Sequence, residues 1–194
     1  MENFLEKLSV LAEANSRIDP EFYSKFNTKR GLRNSDGTGV LIGLTEISEV
    51  SGYDVEDGEK IPKDGRLLYR GIEINELVNG YQKEKRHGFD EICFLLLFGQ
   101  LPTSKQLSDF QELLGSLRNL PNGFTEDMIL KAPSKDIMNK LARAVLTCYS
   151  YDDNPDDISV VNVLRQSMEL IARFPTIVAY AYHAKGHFFG GQSL

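Results

Sequence analysis

Two apolar runs flank a polar loop in the stretch from Gly65 to Thr103, and the rest of the chain is organised around that stretch. Leu67, Leu68 and Tyr69 form a short apolar run ending at Arg70-Gly71, the pattern of a strand closing in a tight turn. Ile74, Leu77 and Val78 recur at helical spacing and predict a short helix. From Phe89 to Phe98 nearly every residue is apolar, which predicts a central helix with no wet side, stopped by Gly99. Thr103 and Gln106 then make a capping box for the helix that follows.

Upstream, Leu5, Leu8, Leu11 and Ala12 put a narrow apolar stripe on a predicted helix from Glu2 to Asn15, broken by Asp19-Pro20. Lys29 to Gly39 is a polar loop, Val40 to Val50 is β-rich, and Tyr53 to Gly65 is a hydrophilic excursion before an extended pattern resumes at Arg66–Ile72. This predicts two paired strands joined by a long loop. Everything beyond is expected to be helical. Leu107, Phe110, Leu114 and Leu117 form one amphipathic face, and a short helix is expected from Thr125 to Leu130. Ser134 is the expected cap of a helix whose buried stripe is Ile137, Leu141, Val145 and Cys148. A last long helix carries Val161, Leu164, Met168, Ile171 and Phe174 on its apolar side. Pro175 is expected to kink or restart it, and the apolar run Ile177–Tyr182 to be surrounded by protein.

Composition places the chain among soluble globular proteins: 194 residues, 41% hydrophobic, with no run of transmembrane length. A net charge of -6 argues against nucleic acid or an anionic membrane as the main partner. Cys93 and Cys148 lie in apolar helical patterns and read as reduced core thiols, and Glu2, Glu6 and Glu13 make the N-terminus unlike a signal or transit peptide. The expected compartment is the cytoplasm.

Candidate chemistry is sparse. His183 and His187 are four residues apart, the spacing of two zinc ligands on one helix face, but Ala184 and Gly186 accompany them and no third ligand is in view. No metal site is expected. His87, within Lys83–His87, reads as part of a solvated loop. The glycines of Asp36–Gly43 precede a strand instead of joining a strand to a helix, so they read as turn glycines and not as a phosphate loop. Asp152, Asp153, Asp156 and Asp157 match no calcium loop and read as a solvated cluster at a helix start. Arg30 and Arg33 flank Gly31 in an exposed loop, where a guanidinium suits phosphate or simply adds surface charge. Arg70, in a hydrophobic motif, reads as a structural ion-pair or carbonyl-capping residue. No general acid and base pair and no partnered nucleophile is evident.

LYRGIEINEL followed by FDEICFLLLFGQLPT, with KRGLRNSDGTGVLIGLT before them, resembles the amino-terminal region of citrate synthases from about Lys29 to the chain's end. The resemblance implies a mainly α fold: citrate-synthase-like large-domain helices with a small two-stranded β element near the N-terminus. It divides the chain into an N-terminal helix and arm (1–28) and the truncated N-terminal part of the large helical domain (29–194). It also implies a homodimer that condenses acetyl-coenzyme A with oxaloacetate and water, giving citrate and coenzyme A in the tricarboxylic acid cycle, with no tightly bound cofactor. Arg33 falls where a family arginine contacts the coenzyme A phosphates and reaches toward the partner subunit; a second such arginine is missing near Asp156. The family's catalytic residues, two histidines that with an aspartate form the enol and polarise the ketone, are expected beyond Leu194, so this chain alone is expected to be inactive. A 2-methylcitrate synthase using propionyl-coenzyme A would look the same here. Outside the enzyme class, a non-catalytic helical partner-binding module remains the alternative.

Overall fold

The protein is described by a computed structural model covering residues 18–26, 28–29, 31–34, 37–40 and 43–193. The helix expected over Glu2–Asn15 lies outside the described residues. The chain forms two compact units, Met1–Thr45 and Glu46–Leu194.

In the first unit a one-turn helix, α1 (Glu21–Lys25), starts where Asp19 accepts from the Glu21 amide at 3.0 Å. The Lys29–Gly39 loop is folded back on itself through an isolated antiparallel bridge between Arg33 and Gly39.

The second unit opens with a three-stranded antiparallel sheet, β1 (Ser48–Glu56), β2 (Glu59–Tyr69) and β3 (Ile72–Glu73), in the order β1-β2-β3. The expected two strands with a long loop are therefore corrected. Residues 43–47 are not strand, and the hydrophilic excursion is itself the body of a hairpin. Its turn is Asp57-Gly58, both at positive φ (51° and 83°), the two-residue turn whose twist matches that of paired strands. Glu56 pairs with Glu59 across it, and a register shift between Ser51 and Tyr53 separates the outer from the inner half. A second two-residue turn, Arg70-Gly71 (φ 49° and 82°), folds β3 back so that Tyr69 pairs with Ile72.

Helix α2 (Ile74–Glu84) buries Leu77 and ends on Lys85 in the left-handed region. Helix α3 (Phe89–Phe98) ends on Gly99 at φ 80°, as the sequence predicts. Its surroundings differ from expectation: only Leu95 is fully buried, and Phe89 and Phe98 are exposed, because the helix packs chiefly on one neighbour. That neighbour is α4 (Ser104–Leu117), where Phe94 meets Phe110 edge-on at 5.5 Å. The Thr103–Gln106 capping box is present in both directions. Thr125–Leu130 is a wide π-type turn.

Helix α5 (Ile137–Cys148) is capped by Asp136, whose carboxylate accepts from the Asn139 amide at 3.1 Å. Ser134, the expected cap, instead accepts from the Asp136 amide and shapes the turn before it. The buried stripe is displaced accordingly. Lys140 and Ala144 face fully inward, with Leu141 and Cys148 packed beside them.

Helix α6 (Val160–Gly190) is the spine of the unit, running through Pro175 without interruption. Proline removes one backbone bond, to the Ile171 carbonyl, and packing on both sides of it holds the helix together. Before Pro175, Met168 and Ala172 join Phe110 and Leu114 in one core cluster. After it, Ile177 and Ala184 join Phe124, Ile129 and Ala144 in another. Val178, Tyr180 and Tyr182 are exposed, so the Ile177–Tyr182 segment is buried on one face only. At the start of α6, Val160 and Val161 are 85% and 80% exposed while Asn162 is buried, reversing the expected apolar side. Asn162 turns inward because its Nδ2 donates to the carbonyls of Asn154 and Asp157 at 2.9 and 2.8 Å. No helix among the described residues is long and apolar enough to cross a membrane.

Candidate functional site

Arg33 sits in a small, closed turn. The Asn34 amide donates to the Thr38 carbonyl at 2.8 Å, the Gly37 amide returns to the Asn34 carbonyl at 3.0 Å, and Gly37 takes φ 82° to make this possible. The Asn34 side chain ties the same turn to Thr38 Oγ1 and the Gly39 carbonyl. Arg33 is exposed, and among the described residues its guanidinium makes one long contact, Nη1 to the Gly37 carbonyl at 3.5 Å. Lys29 also joins the turn, through Nζ and Asn34 Oδ1 at 3.2 Å. The turn presents two cations outward, an arrangement able to receive phosphate oxygens.

In the second unit the strongest polar cluster lies where the Tyr149–Tyr151 turn meets α6, beside a cleft of about 220 Å³ bordered by Cys148, Tyr151, Gln166, Glu169 and Arg173. Arg165 grips Asp152 through Nη2 at 2.6 and 2.8 Å and reaches Glu169 at 2.9 Å. Glu169 in turn pairs with Arg173 at 2.9 Å, and Gln166 donates to Asp152 at 2.9 Å. These residues recur at α-helical spacing, so one face of α6 carries the row. The Asn154 amide, then Gln166 and Arg165, hold the Asp152 carboxyl below the usual carboxylate range. Burial, assisted by Glu169, pushes the Cys148 thiol up, with Arg173 opposing. Asp152 is thus an ion-pairing residue that fixes the loop to the helix. The expected solvated cluster is corrected for Asp152; Asp156 stays exposed and accepts from the Tyr149 hydroxyl at 2.9 Å.

Of the two structural roles expected for Arg70, an ion pair or a carbonyl cap, it takes the second. Nε and Nη2 both donate to the Leu96 carbonyl, at 3.2 and 2.8 Å, in the last turn of α3. His183 and His187 are exposed on α6; His187 Nδ1 lies 2.8 Å from the Gln192 carbonyl. Among the described residues no cluster of three metal-ligating side chains exists. Cys93 and Cys148 are free thiols. The buried Lys140, which the sequence reading did not single out, donates from Nζ to the carbonyls of Met128 and Ala132, the latter at 2.7 Å. Its only sequence signal was a lysine inside an apolar helical stripe.

The fold is shared with solved citrate synthases. The structure of citrate synthase from Pyrobaculum aerophilum superposes with a TM-score of 0.61 at 26% identity, covering 80% of this chain and 39% of that one. Citrate synthase from Thermotoga maritima gives 0.56 at 26%, over 85% of this chain and 36% of that one. A family model described as citrate synthase, C-terminal domain, matches residues 33–192, and the chain belongs to the citrate synthase family. Citrate synthase of Saccharolobus solfataricus is 29% identical over 156 residues, covering 80% of this chain and 35% of its own length. 2-Methylcitrate synthase 1 of Corynebacterium glutamicum is 30% identical over 142 residues, covering 73% of this chain and 33% of its own. The chain thus spans about a third of the length of these relatives.

Proposed function

We propose that this chain contributes the N-terminal part of the large domain of a citrate synthase, which condenses acetyl-coenzyme A with oxaloacetate and water to give citrate and coenzyme A. The observation that carries this reading is the agreement between a family match over residues 33–192 and a superposed fold at 26% identity. A further fold neighbour, citrate synthase of Thermoplasma acidophilum, was solved as a ternary complex with carboxymethyl coenzyme A and oxaloacetate. In this reading the enol-forming and ketone-polarising groups come from chain beyond these 194 residues, and the 194-residue chain alone does not turn over. Arg33 and Lys29, held outward on their turn, meet the phosphates of coenzyme A. Two copies pair in the cytoplasm, and the bare apolar positions Met138 and Leu146 on α5 and Val160 and Val161 on α6 support pairing.

The test is thiol release from acetyl-coenzyme A with oxaloacetate, followed with a chromogenic thiol reagent. None is expected from the 194-residue chain and steady release from a longer product of the same gene; turnover by the short chain refutes the first part, and an inert longer product the second. In that longer product Arg33→Gln should raise KM for acetyl-coenzyme A about fivefold or more with kcat unchanged, the loss of one charge-assisted contact. An unchanged KM removes Arg33 from the site. The similarity to a 2-methylcitrate synthase supports a second reading, with propionyl-coenzyme A as donor. Comparing kcat/KM for the two donors decides between them.

A further inference from the structure

A larger cleft than the one beside Asp152 lies on the other side of α6, where α3 and α4 meet it. Its volume is about 500 Å³, within the range that encloses small ligands. The floor is apolar, formed by Leu114, Ala172, Pro175 and Ala179, and its rim carries two opposite charges, Asp90 and Arg118. Arg118 is exposed, and its side chain makes no hydrogen bond or ion pair among the described residues. Asp90 is partly occupied: Gln111 Nε2 donates to its Oδ2 at 2.9 Å, and Oδ1 is left to accept.

Thr176 and Tyr180 complete the lining. The cleft therefore combines one guanidinium and one carboxylate with an apolar floor, and its rim charges sum to zero.

We propose that this cleft binds a small zwitterion with an apolar side chain, of the chemical class of the hydrophobic α-amino acids. The carboxylate pairs with Arg118, which can hold it through two parallel N–H donors. The ammonium, with three donors and no acceptor, takes Asp90 Oδ1. The side chain covers Leu114, Ala172 and Pro175. The same pair of charges rejects singly charged analogues: an acid brings a carboxylate to Asp90, and an amine brings an ammonium to Arg118. This assignment does not depend on the condensation reaction proposed above.

The experiment is calorimetric titration of the 194-residue chain with L-phenylalanine, 3-phenylpropanoate and 2-phenylethylamine, which share a ring and differ only in charge. Saturable binding of L-phenylalanine is expected, with both analogues weaker by about tenfold or more, the loss of one charge-assisted contact. Arg118→Gln and Asp90→Asn should each weaken L-phenylalanine by a similar factor. Ala179→Phe, which fills the floor and leaves both charges, should abolish it. Unliganded thermal melts of the three variants confirm that each is folded. Absence of saturable L-phenylalanine binding, equal binding of 3-phenylpropanoate, or undiminished binding by folded Ala179→Phe each overturns the proposal.

Discussion

Lys140 offers the sharpest test of how the helical unit holds together. Its side chain is 1% exposed, and its ammonium has no carboxylate within ion-pair distance among the described residues. Instead Nζ donates to the carbonyls of Met128, within the π-type turn, and Ala132, just after it. The Met128 carbonyl belongs to the last turn, whose carbonyls a helix end leaves unpaired and where a cation is favoured. The turn carries Ile129 into the cluster of Phe124, Ala144, Ile177 and Ala184, so Lys140 fastens a core-bearing segment to α5. Lys140→Ala removes three buried methylenes at roughly 0.8 kcal/mol each and orphans two carbonyls at about 1–3 kcal/mol each. Relief from burying a charge offsets part of this, leaving an expected loss of about 3–5 kcal/mol. Lys140→Met keeps the stem and loses only the ammonium, so its cost at pH 7 should be smaller, about 1–3 kcal/mol.

Burial, and then the charge of Arg143, lowers the Lys140 pKa below the ordinary lysine value. Between the folded and unfolded pKa values the unfolded chain binds more protons, so the lysine's contribution becomes more favourable as pH rises through that window. Urea unfolding of wild type and Lys140→Met at pH 7 and pH 9.5 measures both effects, since other titrating groups cancel in the difference. Wild type should gain relative to Lys140→Met at the higher pH. A Lys140→Ala cost under about 1 kcal/mol, or an advantage that shrinks as pH rises, refutes the reasoning.

Arg70→Ala removes both donors to the Leu96 carbonyl and should cost about 1–3 kcal/mol in urea unfolding; a full rescue by Arg70→Lys would show that the paired geometry is unimportant. Gly88→Ala places a methyl group inside the Tyr81 ring, and it should lower stability by about 1–3 kcal/mol with local loss of amide protection at the start of α3. Asp152 has a lowered folded pKa, so its contribution is present above the unfolded carboxylate value and is lost as pH falls through the folded one. Asp152→Asn should therefore be less stable than wild type at pH 7, with the gap closing in acid; a constant gap from pH 7 to pH 2 contradicts the assignment.

Local signals carried well from sequence to structure where chemistry and geometry coincide. The Thr103–Gln106 box, the left-handed Gly99 and the ends of α3 were legible because each depends on a few adjacent residues. The hairpin was hidden because its strands are exposed on both faces and lack a clean alternation, although Asp57-Gly58 is the turn dipeptide that announces one. The cap of α5 went to Asp136 instead of Ser134 because two capping residues stood within one turn and the tertiary fold chose between them. The Asp152–Arg165 pair joins residues whose likeness to a surface charge cluster is complete at the level of composition. For Arg33 the sequence left phosphate binding and plain surface charge both open, and its proposed role rests on the family resemblance, since an exposed arginine on a turn has no local signature of a ligand.

The failures of burial share one cause. Periodicity predicts which residues avoid water, and it does not say which neighbour covers them. In α3 and in the second half of α6 the sequence is apolar on nearly every side, yet the described chain covers only one face of each. Met138, Leu146, Val160 and Val161 repeat the pattern across α5 and the start of α6. Bare apolar surface on this scale is what a subunit interface or a neighbouring domain removes. The proposed pairing and the longer catalytic chain make different uses of that surface. Static light scattering of the 194-residue chain separates them: a concentration-dependent rise in mass is expected from pairing through bare faces. A strict monomer at high concentration leaves those faces to chain beyond these residues.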